Sequence, residues 1–233
     1  MHLAIVAAIV LASSPNNIYV AVPKTMHWTI DGVDRQALVF LPAVSSPHPP
    51  VVIAFHGHGG SAASAAESMR FQHAWREAII VYPQGVPTKT PRDPEGARPG
   101  WQRDAGQYGD RDLKFFDAMR SEFRADRIYV VGFSNGGALA YLLWAQRPDA
   151  LAGVAICASL PGPAVHPTKP RPVIHIAGEI DHVAEFAQQL KVMDEEKRIN
   201  ATAAPAVRVI HPRGHMFPPG ATERIVKFFR TGS

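Results

Sequence analysis

Short runs of β-branched and aromatic residues alternate along this chain with longer segments whose apolar residues recur at helical spacing. The strand-like runs are residues 51–55, 79–82, 128–131, 153–156, 173–176 and 207–210. The helical patterns are residues 62–70, 112–123, 136–146, 185–198 and 221–230. Strands that alternate with helices predict a mainly parallel sheet covered on both faces, with ligands at the carboxyl ends of the strands.

The first predicted strands form a different arrangement from the rest. Residues 26–30 and 35–41 flank an Asp31-Gly32 pair, which predicts an antiparallel hairpin at the start of the sheet. With 233 residues, of which 46% are hydrophobic, the chain is long enough for one compact domain, expected over residues 24–233. Residues 83–110 are rich in Pro and Gly and lack periodicity, so we expect this long loop to form a wall of the functional site.

The N-terminus predicts export. Residues 3–12 form an apolar run that is too short to span a bilayer, and small residues follow it. We therefore predict a signal peptide over residues 1–14, cleaved after Ala12 or Ser14, and a secreted or periplasmic protein without stable membrane insertion. The alternative is a buried N-terminal strand or a misassigned start. The single Cys157 cannot form an internal disulfide and favours neither compartment.

Charge argues against a nucleic-acid partner. The formal net charge is +4, but the Lys and Arg residues are scattered and form no basic run interleaved with aromatic residues. We predict no nucleic-acid binding.

The sequence GFSNGG, residues 132–137, places a serine between two glycines where a strand-like run meets a helical one. Gly132 and Gly136 leave the room that a tight strand-to-helix turn needs, and such a turn exposes the hydroxyl of Ser134. The pattern is that of a nucleophile elbow. A serine nucleophile needs a base within hydrogen-bonding reach and a carboxylate that orients the base, expected in the chain order serine, acid, histidine.

The acid is expected in the loop after residues 173–176, which contains Glu179 and Asp181. We favour Asp181, because Glu179 is so close to the end of the strand that it can point elsewhere. The base is expected in the loop before the last helix. His215 is favoured there over His211, which lies at the strand end and has a capping or packing role as its alternative. His182 is the third candidate, and we expect it to be a surface histidine.

Backbone donors for a developing oxyanion are also predicted. The segment HGHGG, residues 56–60, follows a strand and precedes a helix, so the N–H groups of His58 and Asn135 are the expected pair. His56 and His58 form an H-x-H pair without a third ligand nearby, and the glycine-rich loop lacks a G-K-[ST] ending. We predict no metal and no cofactor.

Taken in order, HGHGG, YPQG, DRIYVVGFSNGG, GEID and GHMFP resemble the α/β-hydrolase family of polyhydroxybutyrate depolymerases and feruloyl esterases, which also covers acetylxylan esterases. The likeness extends over about residues 31–229. It implies an α/β-hydrolase fold and a secreted serine esterase with Ser134, Asp181 and His215 as its triad. The implied partner is an ester substrate, including polymeric esters.

Two departures from the family pattern lie beside the predicted site. The acid loop continues as DHVAEF where the family tends to have a hydrophobic-Pro-Tyr sequence, and Phe217 stands where a tryptophan is common. Both leave the acyl and alcohol specificity open. Trp101 and Phe217 are the aromatic candidates for substrate contact, whereas Trp144 is assigned to the core.

Three other functions are weighed against the esterase. A serine peptidase of this fold usually carries an added domain, and no segment here is long enough to form one. A catalytically dead hydrolase acting as a binding module would have lost a member of the triad, and none is missing from this sequence. A lipase would carry a lid, but residues 157–171 contain four prolines that break helical periodicity, so no lid domain is predicted.

Overall fold

The computed structural model describes residues 21–233, and the predicted signal peptide lies outside these residues. This part of the chain forms ten strands: β1 (Lys24–Ile30), β2 (Val33–Phe40), β3 (Val51–Phe55), β4 (Ile79–Pro83), β5 (Val86–Pro87), β6 (Pro99–Gly100), β7 (Ile128–Phe133), β8 (Gly153–Cys157), β9 (Val173–Gly178) and β10 (Ala206–His211). The α-helices are α1 (Ala62–Met69), α2 (Phe71–Ala74), α3 (Arg111–Phe123), α4 (Asn135–Gln146), α5 (Phe186–Asn200) and α6 (Ala221–Thr231). Short 3₁₀ helices occupy Gln107–Asp110 and Pro148–Ala150.

Eight of these strands form one sheet in the order β1-β2-β4-β3-β7-β8-β9-β10. β1 pairs antiparallel with β2, and β2 pairs antiparallel with β4, whereas all the pairs from β4 to β10 are parallel. Asp31 and Gly32 both have positive φ in the β1–β2 turn, as the predicted hairpin requires. The predicted mainly parallel sheet with an antiparallel start is confirmed.

The central strands are hydrophobic along their whole length because helices cover both faces of the sheet. All five residues of β3 and of β8 are buried, as expected for parallel strands without a solvent-facing side. One face packs against α3, α4 and α5, and the other against α1, α2 and α6. α4 shows the consequence most clearly, because it is buried from Asn135 to Trp144 and its Trp144 belongs to the core, as predicted.

The long loop predicted over residues 83–110 contains the two-stranded β5–β6 pair and one 3₁₀ helix. A buried ion pair fixes its C-terminal end: Arg35 Nη2 donates to Asp112 Oδ1 at 2.8 Å. The other carboxylate oxygen of Asp112 accepts from the Gln102 amide at 2.8 Å. The loop is therefore bound to the body of the fold next to the carboxyl ends of the strands.

Candidate active site

Ser134 lies in the sharp turn between β7 and α4. Its backbone has φ 53° and ψ −121°, a strained conformation for a residue with a side chain. The neighbouring glycines make the turn sterically feasible. A Cβ on Gly132 would come within 2.2 Å of the Gly136 carbonyl oxygen, and one on Gly136 would come within 2.4 Å of the Phe55 carbonyl oxygen. The turn therefore has the conformation expected of a nucleophile elbow.

His215 lies between Ser134 and Asp181 and is hydrogen-bonded to both. Its Nε2 is 2.8 Å from Ser134 Oγ. Its Nδ1 lies 3.0 Å from Asp181 Oδ2 and 3.1 Å from Oδ1. Since the carboxylate accepts the proton on Nδ1, Nε2 is left as the acceptor for the serine hydroxyl.

Asp181 is 1% exposed and its carboxylate is well supplied with donors. Oδ1 accepts from the amides of Val183 at 2.8 Å and Ala184 at 3.0 Å. Oδ2 accepts from the side-chain amide of Gln189 at 3.3 Å. These donors hold the carboxylate in one orientation beside His215 and stabilise its charge in a buried position.

The alternative acid and bases lie outside this arrangement. Glu179 and His182 are exposed. His211 Nδ1 accepts from the Arg213 amide at 3.3 Å, and burial, with a contribution from Arg213, lowers the pKa of its side chain. The structure thus brings together the residues that the sequence analysis favoured, and none of the three alternatives.

The two residues expected to supply oxyanion donors border Ser134. Asn135 is the first residue of α4, where backbone amides have no partner within the helix. His58 follows Gly57, and a Cβ on Gly57 would lie 3.4 Å from Ser134 Cβ, so this loop passes directly over the serine. Their role in charge stabilisation stays a prediction.

The side chains of these same two residues bind the long loop. Asn135 Oδ1 accepts from the Trp101 amide at 2.7 Å, and its Nδ2 donates to the Trp101 carbonyl at 3.1 Å. His58 Nε2 is 2.9 Å from Asp93 Oδ2. The loop therefore fixes the position of both backbone segments that approach Ser134. Neither contact was foreseen in the sequence, because each joins residues 34 or 35 positions apart.

The prediction that Trp101 contacts substrate is wrong. Its side chain is 0% exposed, packs edge-on against Phe55 and donates from Nε1 to the His56 carbonyl at 2.8 Å. An indole that is closed off from solvent and already satisfied cannot form a pocket wall. Phe217 is partly buried against the α6 face of the sheet, two residues after His215, and its predicted role stays open.

His56 is committed to the local fold rather than to a ligand. Its Nδ1 lies 2.7 Å from the Gly57 carbonyl, and its Nε2 accepts from the Gly85 amide at 3.0 Å. Burial lowers the pKa of this histidine, partly offset by the bond to Gly57. Among residues 21–233, no group of three or more His, Cys, Asp or Glu side chains is arranged to hold a metal ion.

A cavity of about 540 Å³ lies between α4, α5 and the segment of residues 160–167, and it does not include the site. It is bordered by residues of the 160–167 segment and of α5, and neither Ser134, Asp181 nor His215 lines it. The 160–167 segment contains no helix or strand. Ser159, just before it, donates from Oγ to the Ser134 carbonyl at 2.7 Å and so joins this segment to the elbow.

Fold and site together define an α/β hydrolase. A sequence model of the phospholipase/carboxylesterase family matches residues 39–232, and the chain belongs to this family.

Two relatives are similar over part of their length. The chain is 33% identical over 148 residues to NocK of Nocardia uniformis subsp. tsuyamanensis, which is assigned to the esterases; the match covers 59% of this chain and 41% of NocK. It is 26% identical over 166 residues to the bifunctional acetylxylan esterase/xylanase XynS20E of Neocallimastix patriciarum, covering 67% of this chain and 23% of that protein. The chain thus spans less than half the length of either relative.

Solved structures of esterases share the fold. The Bacillus cereus carboxylesterase superimposes with a TM-score of 0.65 at 20% identity, covering 85% of this chain and 95% of that one. The Pyrococcus furiosus esterase Pf2001 gives 0.67 at 16% identity, covering 96% and 98%. At these identities the likeness concerns the fold alone. Within residues 21–233, no helix is long and apolar enough to cross a membrane.

Proposed function

We propose that this protein hydrolyses carboxylic esters through an acyl-enzyme, with Ser134 as nucleophile, His215 as general base and acid, and Asp181 as the orienting carboxylate. One observation carries the proposal: His215 bridges the Ser134 hydroxyl and the buried Asp181 carboxylate, with Nε2 and Nδ1 each within 3.0 Å of its partner. Family membership supports the same reaction class.

The reaction proceeds in two halves. His215 Nε2 takes the proton of Ser134 as Oγ attacks the ester carbonyl, and the resulting oxyanion is stabilised by the N–H groups of His58 and Asn135. The protonated His215 then donates to the departing alkoxide as the C–O bond breaks. Water enters, loses its proton to His215 and attacks the acyl-enzyme; collapse of the second tetrahedral intermediate returns that proton to Ser134 and releases the acid.

The substrate class is proposed to be feruloyl or acetyl esters, or short hydroxyalkanoate esters including polymeric ones. The motifs shared with polyhydroxybutyrate depolymerases and feruloyl esterases support this, as does the similarity to an acetylxylan esterase/xylanase. A panel of p-nitrophenyl acetate, methyl ferulate and short polyhydroxybutyrate would separate the three. We also propose export, and sequencing of the N-terminus of protein from the native host should find a start near Ser13 or Pro15.

The decisive experiment compares wild type with Ser134→Ala. The variant removes the attacking oxygen and almost no volume, so it should fold normally while kcat for p-nitrophenyl acetate falls by at least about 10⁴-fold. A fluorophosphonate should label wild type at Ser134 alone. Labelling of another serine would show that Ser134 is not the nucleophile. Absence of both labelling and turnover in wild type would favour a hydrolase-fold binding module.

A further inference from the structure

A buried chain of polar side chains extends from Asp181 away from His215. Its members are Gln189, His175, Glu196 and Tyr141, each at most 3% exposed. They belong to β9, α4 and α5, which pack together on one face of the sheet. Polar groups this deeply buried are costly unless they are satisfied, and here each one bonds to the next.

The partners of the Gln189 amide identify which of its ends is the nitrogen. Its Nε2 donates both to Asp181 Oδ2 and to the Ala184 carbonyl. Its Oε1 therefore points the other way, to His175 Nε2 at 3.2 Å. Since an amide oxygen only accepts, His175 must carry a proton on Nε2.

The other side of the His175 ring faces an acid. Nδ1 is 3.0 Å from Glu196 Oε1 and 3.0 Å from the Tyr141 hydroxyl, which also donates to Glu196. Burial, reinforced by the charge of Glu196, raises the pKa of Tyr141, which therefore stays protonated. Because Nε2 already holds one proton, the contact between Nδ1 and Glu196 needs a second proton, shared between the two groups, and the pair has no net charge.

We propose that His175 and Glu196 are positioning residues that set the orientation of Asp181 through Gln189. The inference rests on the proposed function of Asp181. If His175 carried its only proton on Nδ1, Nε2 would face Gln189 as an acceptor, and the amide would have to turn over. Its oxygen would then point at the Asp181 carboxylate, which would lose a donor and gain a repulsive neighbour.

This arrangement distinguishes a positioning role from a merely structural one. His175, Glu196 and Gln189 are not in the hydrogen-bonded line of Ser134, His215 and Asp181, so their loss should lower kcat and leave KM unchanged. The loss of kcat caused by replacing His175 should also disappear when Gln189 has already been replaced. A structural role would instead reduce stability without this dependence.

The test is a double-mutant cycle of His175→Phe and Gln189→Met, read as kcat and KM for p-nitrophenyl acetate. Each single variant should lower kcat by roughly tenfold, and the double variant should lower it no further. His175→Gln should restore most of the rate, because its amide can donate to Gln189. Asn200→Ala is the matched control. Asn200 is buried on α5, and within residues 21–233 its side chain bonds only to the backbone of Arg171 and Pro205, so this variant should lose stability and keep kcat.

Additive effects in the cycle, an unchanged kcat in His175→Phe, or an equal loss in Asn200→Ala would overturn the proposal. Nitrogen-15 spectra of histidine-labelled wild type provide a measurement that does not depend on whether the variants fold. They should show His175 protonated at Nε2, and an imidazole protonated only at Nδ1 would contradict the proposal. If wild type hydrolyses no ester, the proposed function fails, while these spectra still test the network.

Discussion

Asp93 Oδ2 accepts a hydrogen bond from His58 Nε2 at 2.9 Å and so joins the middle of the long loop to the loop that passes over Ser134. The same carboxylate accepts from the amides of Ala97 and Arg98. These amide bonds, that of Arg98 foremost, and the contact with His58 lower the pKa of Asp93. One carboxylate thus organises its own turn and holds the residue expected to donate to the oxyanion.

Removing this carboxylate should impair the chemical step. In Asp93→Ala, His58 loses its partner and the backbone N–H over Ser134 is no longer held in place. Complete loss of an oxyanion donor typically costs 10²–10³ in kcat, so we expect a drop of roughly tenfold to a hundredfold with KM nearly unchanged. Glu95→Ala, at an exposed position in the same loop, is the control, and an equal drop there would show that the loop as a whole is responsible.

Local patterns in the sequence predicted the main sheet, five of the six α-helices of residues 21–233 and the three residues of the hydrogen-bonded line, whereas α2 and the β5–β6 pair were not predicted. Each of these features is encoded by residues that are close together in the sequence. Apolar periodicity predicts the helices and strands, and the spacing of the glycines predicts the turn at Ser134. The bounds of the five predicted helices agree to within two residues, as in α4, which begins at Asn135 directly after the turn at Ser134.

The misassignment of Trp101 has a physical cause. An aromatic residue in a long Pro- and Gly-rich loop resembles a pocket wall, yet the loop folds inward because Asn135 and His56 provide polar partners for the Trp101 backbone and indole. These partners lie 34 and 45 positions away. The chain from Asp181 to Glu196 was missed for the same reason: its members alternate with apolar residues on β9 and α5, and only packing brings them together.

The two acids of the loop after β9 should differ sharply in effect. Asp181→Asn removes the charge that fixes the tautomer of His215 and should lower kcat by about 10⁴-fold. Glu179→Gln, at an exposed position two residues earlier, should change kcat by less than about twofold. Ester hydrolysis by the two purified variants measures this difference directly. A larger loss of kcat in Glu179→Gln than in Asp181→Asn would show that Glu179 is the orienting carboxylate.

His56 should make the fold sensitive to acid. Its pKa is lowered chiefly by burial, so the folded protein binds this proton less readily than the unfolded chain, where the value is near 6.5. Its contribution to stability is therefore complete above pH 6.5 and is lost as the pH falls below that value. Protonation at Nε2 also abolishes the bond from the Gly85 amide.

Urea unfolding at pH 7.5 and pH 5.5 measures this contribution. The free energy of unfolding should fall more steeply with acid in wild type than in His56→Gln, while the exposed control His73→Gln should follow wild type. His211, whose pKa is also lowered, acts in the same direction in all three proteins and cancels in the comparison. Parallel curves for wild type and His56→Gln would show that His56 titrates normally in the folded state.

The segment after β8 and the long loop are bonded to each other, which bears on access to the site. Arg103 Nη2 donates to the Pro161 carbonyl at 3.2 Å, and Asp104 Oδ1 accepts from the Ala164 amide at 2.9 Å. A Cβ on Gly162 would lie 2.3 Å from the Arg103 carbonyl, so the two backbones are in close contact. Segments held together in this way do not form a mobile lid that opens to expose Ser134.

We therefore expect no interfacial activation. The rate of tributyrin hydrolysis should rise smoothly with concentration through the solubility limit, because neither segment has to open before an ester reaches Ser134. Bulky or polymer-tethered acyl esters should be better substrates than emulsified long-chain triglycerides for the same reason.

Gly162→Ala provides an internal check: its Cβ would push the two segments apart, and in an already open site this should lower stability without raising the rate on emulsions. A sharp increase in wild-type rate when tributyrin becomes emulsified would show that one of these segments does close over the serine, and would favour a lipase over a feruloyl-type esterase.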